Sequence, residues 1–237
     1  MYPKIPHKSG LIALVATALL VFAGGYAVAD SHKKKGAEKV DYTAMSSEEL
    51  AEYLIFEAEG FDVDEKTQEG RTVRDRLTQD ELQKTCSKLK GGPVDGDTAQ
   101  KVMELARDSM VYPEGGIELG DWKRGQAVAE NAFGFRVGHK VDDHSARETG
   151  GLCINCHQFE EEKVDRSGTL GPSLIGYGKM RGTNEQMLKY TYEVIYNAHV
   201  VFPCTKMPRF GANGVLSQEK IADVMAYLMD PESPVNE

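Results

Sequence analysis

Apolar residues recur along most of this chain at three- and four-residue spacing, the period of helices with one buried face. Ser46 with Glu49 forms a capping-box pattern, and Leu50, Tyr53, Leu54 and Ala58 follow at helical spacing until Gly60. Thr78 with Glu81 repeats the device and opens a helix carrying Leu82, Cys86 and Leu89 on one face, stopped by Gly91 and Gly92. A third helix is predicted over 98–110, with Val102, Leu105 and Ala106 inward. A Pro/Gly turn region, 112–119, then marks a boundary. Beyond it the pattern predicts helices over 122–132 and over 183–198, the second with Met187, Tyr190, Val194 and Ile195 on one side. A last helix opens at Ser217, buries Ile221, Val224, Met225 and Leu228, and ends before Pro231. No strand-like alternation of useful length occurs. Two glycine- and proline-rich loops, 164–182 and 200–216, are large for so few helices, which implies that something other than side chains fills part of the core.

The first residues read differently. Lys4, His7 and Lys8 precede an apolar run over 11–22, and Ala27-Val28-Ala29 supplies small residues before Asp30. The run is shorter than the roughly 20 residues of a spanning helix, so 1–29 is expected to be a secretory signal. A retained anchor is the alternative, because 24–28 extends the apolar run. The expected organisation is therefore signal 1–29, Lys-rich linker 30–41, helical N-terminal extension 42–116 and a second helical segment 117–237. After signal removal no stable membrane insertion is expected, and the location is periplasmic.

With 27% charged and 41% hydrophobic residues the chain has the composition of a folded domain, which excludes long disorder and a polytopic membrane protein. Its 37 acidic against 28 basic residues give a net charge of -9, and no basic stripe offers a nucleic-acid surface. Removing 1–29 takes away Lys4 and Lys8 and no acid, moving the charge from -9 to -11.

Cys153-Ile154-Asn155-Cys156-His157 is C-x-x-C-H, in which two thiols add to haem vinyl groups and the adjacent imidazole ligates the iron. On a helical turn the two cysteines share one face and the histidine follows beneath. Zinc would need two more soft ligands at similar spacing, and only the widely separated Cys86 and Cys204 remain. A thioredoxin-like pair wants a βαβ context that is absent. One covalent haem c is expected, with Cys153, Cys156 and His157 holding it; no second C-x-x-C-H occurs.

The opposite axial ligand is expected to be Met207, in the irregular segment Pro203-Cys204-Thr205-Lys206-Met207-Pro208, where a loop can fold over the other haem face. Met180, Met187, Met225 and Met229 compete, the last three at helical spacings typical of core residues. His199 is the rival imidazole, and His139 and His144 are further alternatives. A carbonyl at Gly171-Pro172 would accept the His157 Nδ1 proton. Tyr177, Lys179, Arg181 and Arg209 lie in loops expected to border the haem, and Ile154, Met207, Pro208 and Phe210 are expected to line its docking edge. The remaining thiols, Cys86 and Cys204, are candidates for a disulfide in an oxidising compartment, the alternative being a reactive thiol at Cys204.

From Gly120 onward the chain resembles a class I cytochrome c: a first helix with Gly125, the haem motif, Gly171-Pro172, a methionine loop and a final helix containing Tyr227. Gly150-Gly151-Leu152-Cys153, Gly168-Thr169-Leu170-Gly171-Pro172-Ser173-Leu174, Tyr177-Gly178-Lys179-Met180-Arg181-Gly182, Met207-Pro208-Arg209-Phe210-Gly211 and Asp230-Pro231-Glu232-Ser233-Pro234-Val235-Asn236 together resemble the SoxX family. SoxX proteins are the monohaem cytochrome subunits of the SoxAX complex of bacterial sulfur oxidation. The resemblance spans about 112–237 and implies an all-α, class I cytochrome c fold with an additional N-terminal helical segment, as in longer members. It further implies a heterodimer with the SoxA cytochrome subunit, which carries the active site. That complex, an L-cysteine S-thiosulfotransferase, joins thiosulfate to a cysteine of the SoxYZ carrier. The SoxX subunit, with no catalytic residue of its own, accepts the electrons and passes them to a small acceptor cytochrome.

Overall fold

The computed structural model describes residues 40–68, 70–137 and 147–237, so the expected signal and most of the linker lie outside the described residues, as do His139 and His144. Residues 40–45 belong to a first unit, Met1–Met45, in which Asp41 caps one 3-10 turn, Tyr42–Ala44. The second unit, Ser46–Glu237, holds everything described below.

Side-chain oxygens start its helices. Ser46 Oγ accepts the Glu49 N–H at 3.2 Å and Glu49 Oε2 accepts the Ser46 N–H at 2.8 Å, a complete capping box before α1 (Ser47–Glu52). The regular helix stops short of Gly60. A wider π turn, Tyr53–Glu57, follows it, rich in the aromatic and β-branched residues that favour helices least, and seats Phe56 under the Arg74 guanidinium at 5.4 Å. Its apolar face is not deeply buried, and Leu54 is 49% exposed. A short helix that the apolar pattern does not announce, α2 (Val73–Leu77), begins at a Thr72/Asp75 capping box. Thr78, expected as the next cap, instead closes α2, donating its hydroxyl and its N–H to the Arg74 carbonyl at 2.7 and 2.9 Å. Helix α3 (Glu81–Ser87) starts from Asp80, whose Oδ1 accepts the Gln83 N–H at 2.8 Å; a carboxylate is the better cap. Helix α4 (Gly96–Asp108) starts two residues before its expected position because Asp95 caps the Thr98 N–H at 2.9 Å. Leu82, Val102 and Ala106 form a small core with Cys86, Leu105, Val200 and Cys204 around it.

The larger core is built on α5 (Trp122–Glu130), α6 (Tyr177–Arg181), α7 (Glu185–Asn197) and α8 (Gln218–Met229). Among the described residues there is no strand, only one bridge between Lys66 and Thr72, so the fold is all-α and cytochrome c-like. No helix among them is long and apolar enough to cross a membrane. Helices α5 and α8 cross at closest range, and Arg124 clasps the buried Asp223 with two hydrogen bonds of 2.8 Å. The C-terminal motif closes the far end of α8. Asn236 donates to the Leu228 and Asp230 carbonyls at 3.1 and 2.9 Å, and the Gly176 N–H reaches Val235 O at 2.6 Å, which fastens α6 to the tail.

Gly125 sets the α5–α8 approach. A Cβ there would stand 1.9 Å from Asp223 O and 2.9 Å from Tyr227 Cβ, and backbone cannot rotate away. Gly125→Ala is expected to cost roughly 3 kcal/mol by forcing the two helices apart. Urea unfolding reads this directly; an unchanged midpoint would mean the helices are not in that contact.

Candidate functional site

The C-x-x-C-H segment is pinned to the C-terminal end of α5 and the residues just after it. The Gly150, Gly151 and Leu152 N–H groups donate to Phe133, Val128 and Asn131 carbonyls at 2.8, 2.9 and 3.1 Å. Leu152 takes the left-handed conformation (φ 46°), reversing the chain into a 3-10 turn, Cys153–Asn155. The turn is closed by the Cys156 and His157 N–H groups on Cys153 O, at 3.1 and 3.0 Å, which keeps both thiols and the imidazole on one short segment.

A second strand of loop runs alongside. Gly168 N–H donates to Ile154 O, Gly171 N–H to Cys156 O and Leu174 N–H to Gln158 O, all within 2.7–2.8 Å. Gly171 lies so close to the imidazole that a Cβ would meet His157 Cε1 at 2.2 Å and Nε2 at 2.8 Å. His157 Nδ1 stands 2.8 Å from Pro172 O. A carbonyl only accepts, so Nδ1 donates, and in the neutral ring Nε2 is then the nitrogen left to ligate a metal.

Cys153, Cys156 and His157 line a cavity of about 560 Å³, within the ~300–1,000 Å³ range of cofactor sites. Its walls are largely apolar, from Leu152, Leu174, Val194, Ile195, Phe210 and Leu228 among others, and Met207 lines it too. Among the lining residues Met207 is the one methionine and His157 the one histidine. Met225 and Met229 are buried in the core, Met187 packs against it, and Met180 is 70% exposed. None of these four lines the cavity. His199 is buried elsewhere: its Nδ1 accepts the Cys204 N–H at 3.0 Å, and burial lowers its pKa, with Arg209 adding to the effect and Asp80 opposing it.

Burial pushes the Cys153 thiol up to about 12, so in the free cavity it is a neutral thiol at ordinary pH. Cys86 and Cys204 are joined in a disulfide, which removes both from any shared site with Cys153 and Cys156. The donor set, two free thiols beside an oriented imidazole in an apolar cavity with a thioether, fits a covalently held haem and fits zinc poorly.

Of the loop residues expected to border the cavity, Tyr177 and Arg181 line it, Arg181 lying 5.0 and 5.8 Å from the Tyr177 and Tyr190 rings. Lys179 and Arg209 do not line it; Arg209 is buried and donates to Asp80 Oδ2 at 2.7 Å. Phe210, expected at the docking edge, is only 8% exposed because it packs in the core; Pro208 is exposed at the cavity as expected, and Leu170 and Phe202 are further exposed apolar residues there.

Behind the motif sits a network that pattern reading missed. Phe159 stacks on Tyr227 at 5.2 Å and meets the His157 ring edge-on at 6.3 Å. Glu160 Oε1 accepts from the Tyr227 hydroxyl at 2.5 Å, from Lys163 Nζ at 2.9 Å and from Gln126 at 3.0 Å. Burial and the Glu160 carboxylate raise the Tyr227 pKa far above its ordinary value, so the phenol stays a donor. Phe159, Glu160, Tyr227, Lys163 and Gln126, all buried or half-buried, thereby hold the segment next to His157 in place. The nearest sequence signal is the Phe159-Glu160 pair directly after the motif.

No family model matches the chain. A chain in the crystal structure of SoxXA from P. pantotrophus is similar over 54% of this chain and 94% of its own length, at 24% identity and a TM-score of 0.35. An uncharacterized lipoprotein of Aquifex aeolicus (strain VF5) is 39% identical over 159 residues, which is 67% of this chain and 73% of that protein. At that identity and coverage, the chain belongs to the same protein family as the Aquifex aeolicus lipoprotein.

Proposed function

We propose that this protein is an extracytoplasmic monohaem c-type cytochrome that relays electrons, in the manner of the SoxX subunit of a thiosulfate-oxidising complex. The observation that carries the reading is the convergence of Cys153, Cys156, His157 and Met207 on one apolar cavity. When bound, haem c would supply a one-electron iron couple whose potential a thioether ligand raises.

The residues divide the work. Cys153 and Cys156 would tether the group through thioethers, and their shared turn keeps the two sulfurs on one wall. His157, with its Nδ1 proton held by Pro172 O, offers Nε2 as donor, and Gly171 packed against the ring prevents rotation. Met207 offers its sulfur from the other loop. With His157 and Met207 both offered to the metal, no position would be left for substrate, which suits a relay rather than a reaction centre. Apolar walls exclude water and lower the local dielectric, favouring the less charged reduced state. The finer assignment, to an electron-accepting partner of a SoxA-type cytochrome acting on SoxYZ-bound thiosulfate, rests on the Met207-Pro208-Arg209-Phe210-Gly211 and Asp230 to Asn236 motifs. An export-type N-terminus and a lipoprotein relative support a periplasmic location.

Expression with a haem-attachment system should yield a red protein whose intact mass exceeds the polypeptide by one haem, with a pyridine haemochrome of the two-thioether type. The ferrous protein should be inert to carbon monoxide. Affinity capture from a thiosulfate-oxidising host should bring down a second haem protein. A colourless chain would end the cytochrome reading; a coloured protein that stays monomeric beside a SoxA-type partner would leave a free-standing carrier in place of the subunit.

A further inference from the structure

We propose that the N-terminal extension positions the Met207 thioether, and that the ion pair between Asp80 and Arg209 is the positioning contact. The inference rests on Met207 being an axial ligand, and it assigns a task to a segment that contributes no residue to the cavity lining.

The argument begins with where the loop is held. Met207 itself has weak local support, its N–H reaching Thr205 Oγ1 at 3.3 Å. Three residues before it, Cys204 is bonded to Cys86 of α3. Two residues after it, Arg209 donates to Asp80 at 2.7 Å. Both anchors are on one short element: Asp80 is the N-cap of α3 and Cys86 lies in its last turn. The methionine is therefore slung between two points of a single rigid helix, and α3 packs through Leu82 on Val102 and Ala106 of α4.

The two points are unequal. Cys204 sits in the left-handed region (φ 57°), where a non-glycine residue is strained, and its N–H is held by His199 Nδ1. The disulfide and the Thr205 N–H on Phe202 O, at 3.1 Å, fix the start of the loop, and Lys206, Met207 and Pro208 follow before the next attachment outside it. Arg209 sets where that segment ends. Its guanidinium is 10% exposed while Asp80 is half exposed, so the pair is partly desolvated and charge-assisted rather than a surface contact. Asp80 is committed on both oxygens, Oδ1 to the α3 cap and Oδ2 to Arg209, so neither end swings freely. From Arg209 onward the backbone is stitched to α7 by the Gly211 and Ala212 N–H groups on Tyr196 O, at 3.0 and 3.1 Å.

Asp80→Asn tests this in the haem-loaded protein, because asparagine keeps the cap and removes the charge. The readouts are the far-red thioether-to-ferric-iron band, the midpoint potential, and amide exchange at Met207. Asp80→Asn should weaken the band, lower the potential, and raise the fraction of ferrous protein open to carbon monoxide about tenfold, the effect of one charge-assisted hydrogen bond. Helical circular dichroism should be unchanged. Arg209→Lys, which keeps the charge but not the guanidinium fork, should lie between Asp80→Asn and the parent, and it serves as the second variant should Asp80→Asn fail to fold. A folded Asp80→Asn or Arg209→Lys protein with parental band, potential and Met207 exchange overturns the positioning role. The underlying assignment fails separately: then the parent lacks the band, or Met207→Ala leaves it intact.

Discussion

Met207→Ala lowers the midpoint potential of the haem-loaded protein by well over the ~59 mV that one decade represents for a one-electron couple. The effect is large because Met207 is the one methionine lining the cavity, so its removal leaves no second methionine to take its place. His199 cannot substitute: it is buried, its Nδ1 already accepts the Cys204 N–H, and it does not line the cavity. An alanine at 207 exchanges a soft neutral donor for water, which favours the ferric state. Haem attachment should survive, since Cys153 and Cys156 lie on the separate segment hydrogen-bonded to the end of α5. The ferrous variant should now bind carbon monoxide. Electron transfer through an assembled complex should slow in proportion to the lost driving force. Redox titration beside a carbon monoxide spectrum checks the claim, and a variant with unchanged potential removes Met207 as the ligand.

Local chemistry was legible in the sequence where it depends on neighbours in the chain. Ser46 with Glu49, and Ser217 before α8, are caps in the structure because a hydroxyl needs only a partner two or three residues on. Ile221, Val224, Met225 and Leu228 are buried as their spacing predicts, since α8 runs through the middle of the core. The Thr78 error has the same origin. Two capping residues stood two apart, and pattern alone could not rank them, although aspartate at 80 followed by Gln83 is also a capping box. Helix α6 escaped notice because it is five residues long and begins after Gly176 in the left-handed region, with no capping side chain. The loops 164–182 and 200–216 could be seen to be irregular, but not that the first lies against His157 through Gly171 or that the second is held to Asp80 through Arg209. Arg209 and Asp80 are 129 residues apart, and one sequence carries no signal that joins them. The role of the extension is legible only once its helices are seen holding the methionine loop at both ends.

Cys86→Ser and Cys204→Ser should each destabilise the protein by roughly 4–5 kcal/mol, the chain-entropy value for a loop of this length. The bond spans 118 positions, so without it the unfolded chain regains nearly the full freedom of a large loop. Against a typical net stability of about 5–15 kcal/mol, this is roughly a quarter of the total or more. The two losses share one bond, and the double variant should therefore cost little more than either single one, a non-additivity that a urea double-mutant cycle measures. Reduction of the parent protein should reproduce the same shift, because Cys86 and Cys204 are packed around the Leu82, Val102 and Ala106 core and gain no other partner. Below the unfolding transition both variants should still carry haem and still transfer electrons, with the thioether band weakened by a looser start to the 204–209 loop. Complete loss of electron transfer in a folded, haem-loaded Cys204→Ser protein, with Cys86→Ser unaffected, would instead give the Cys204 sulfur a chemical part that no cross-link can explain.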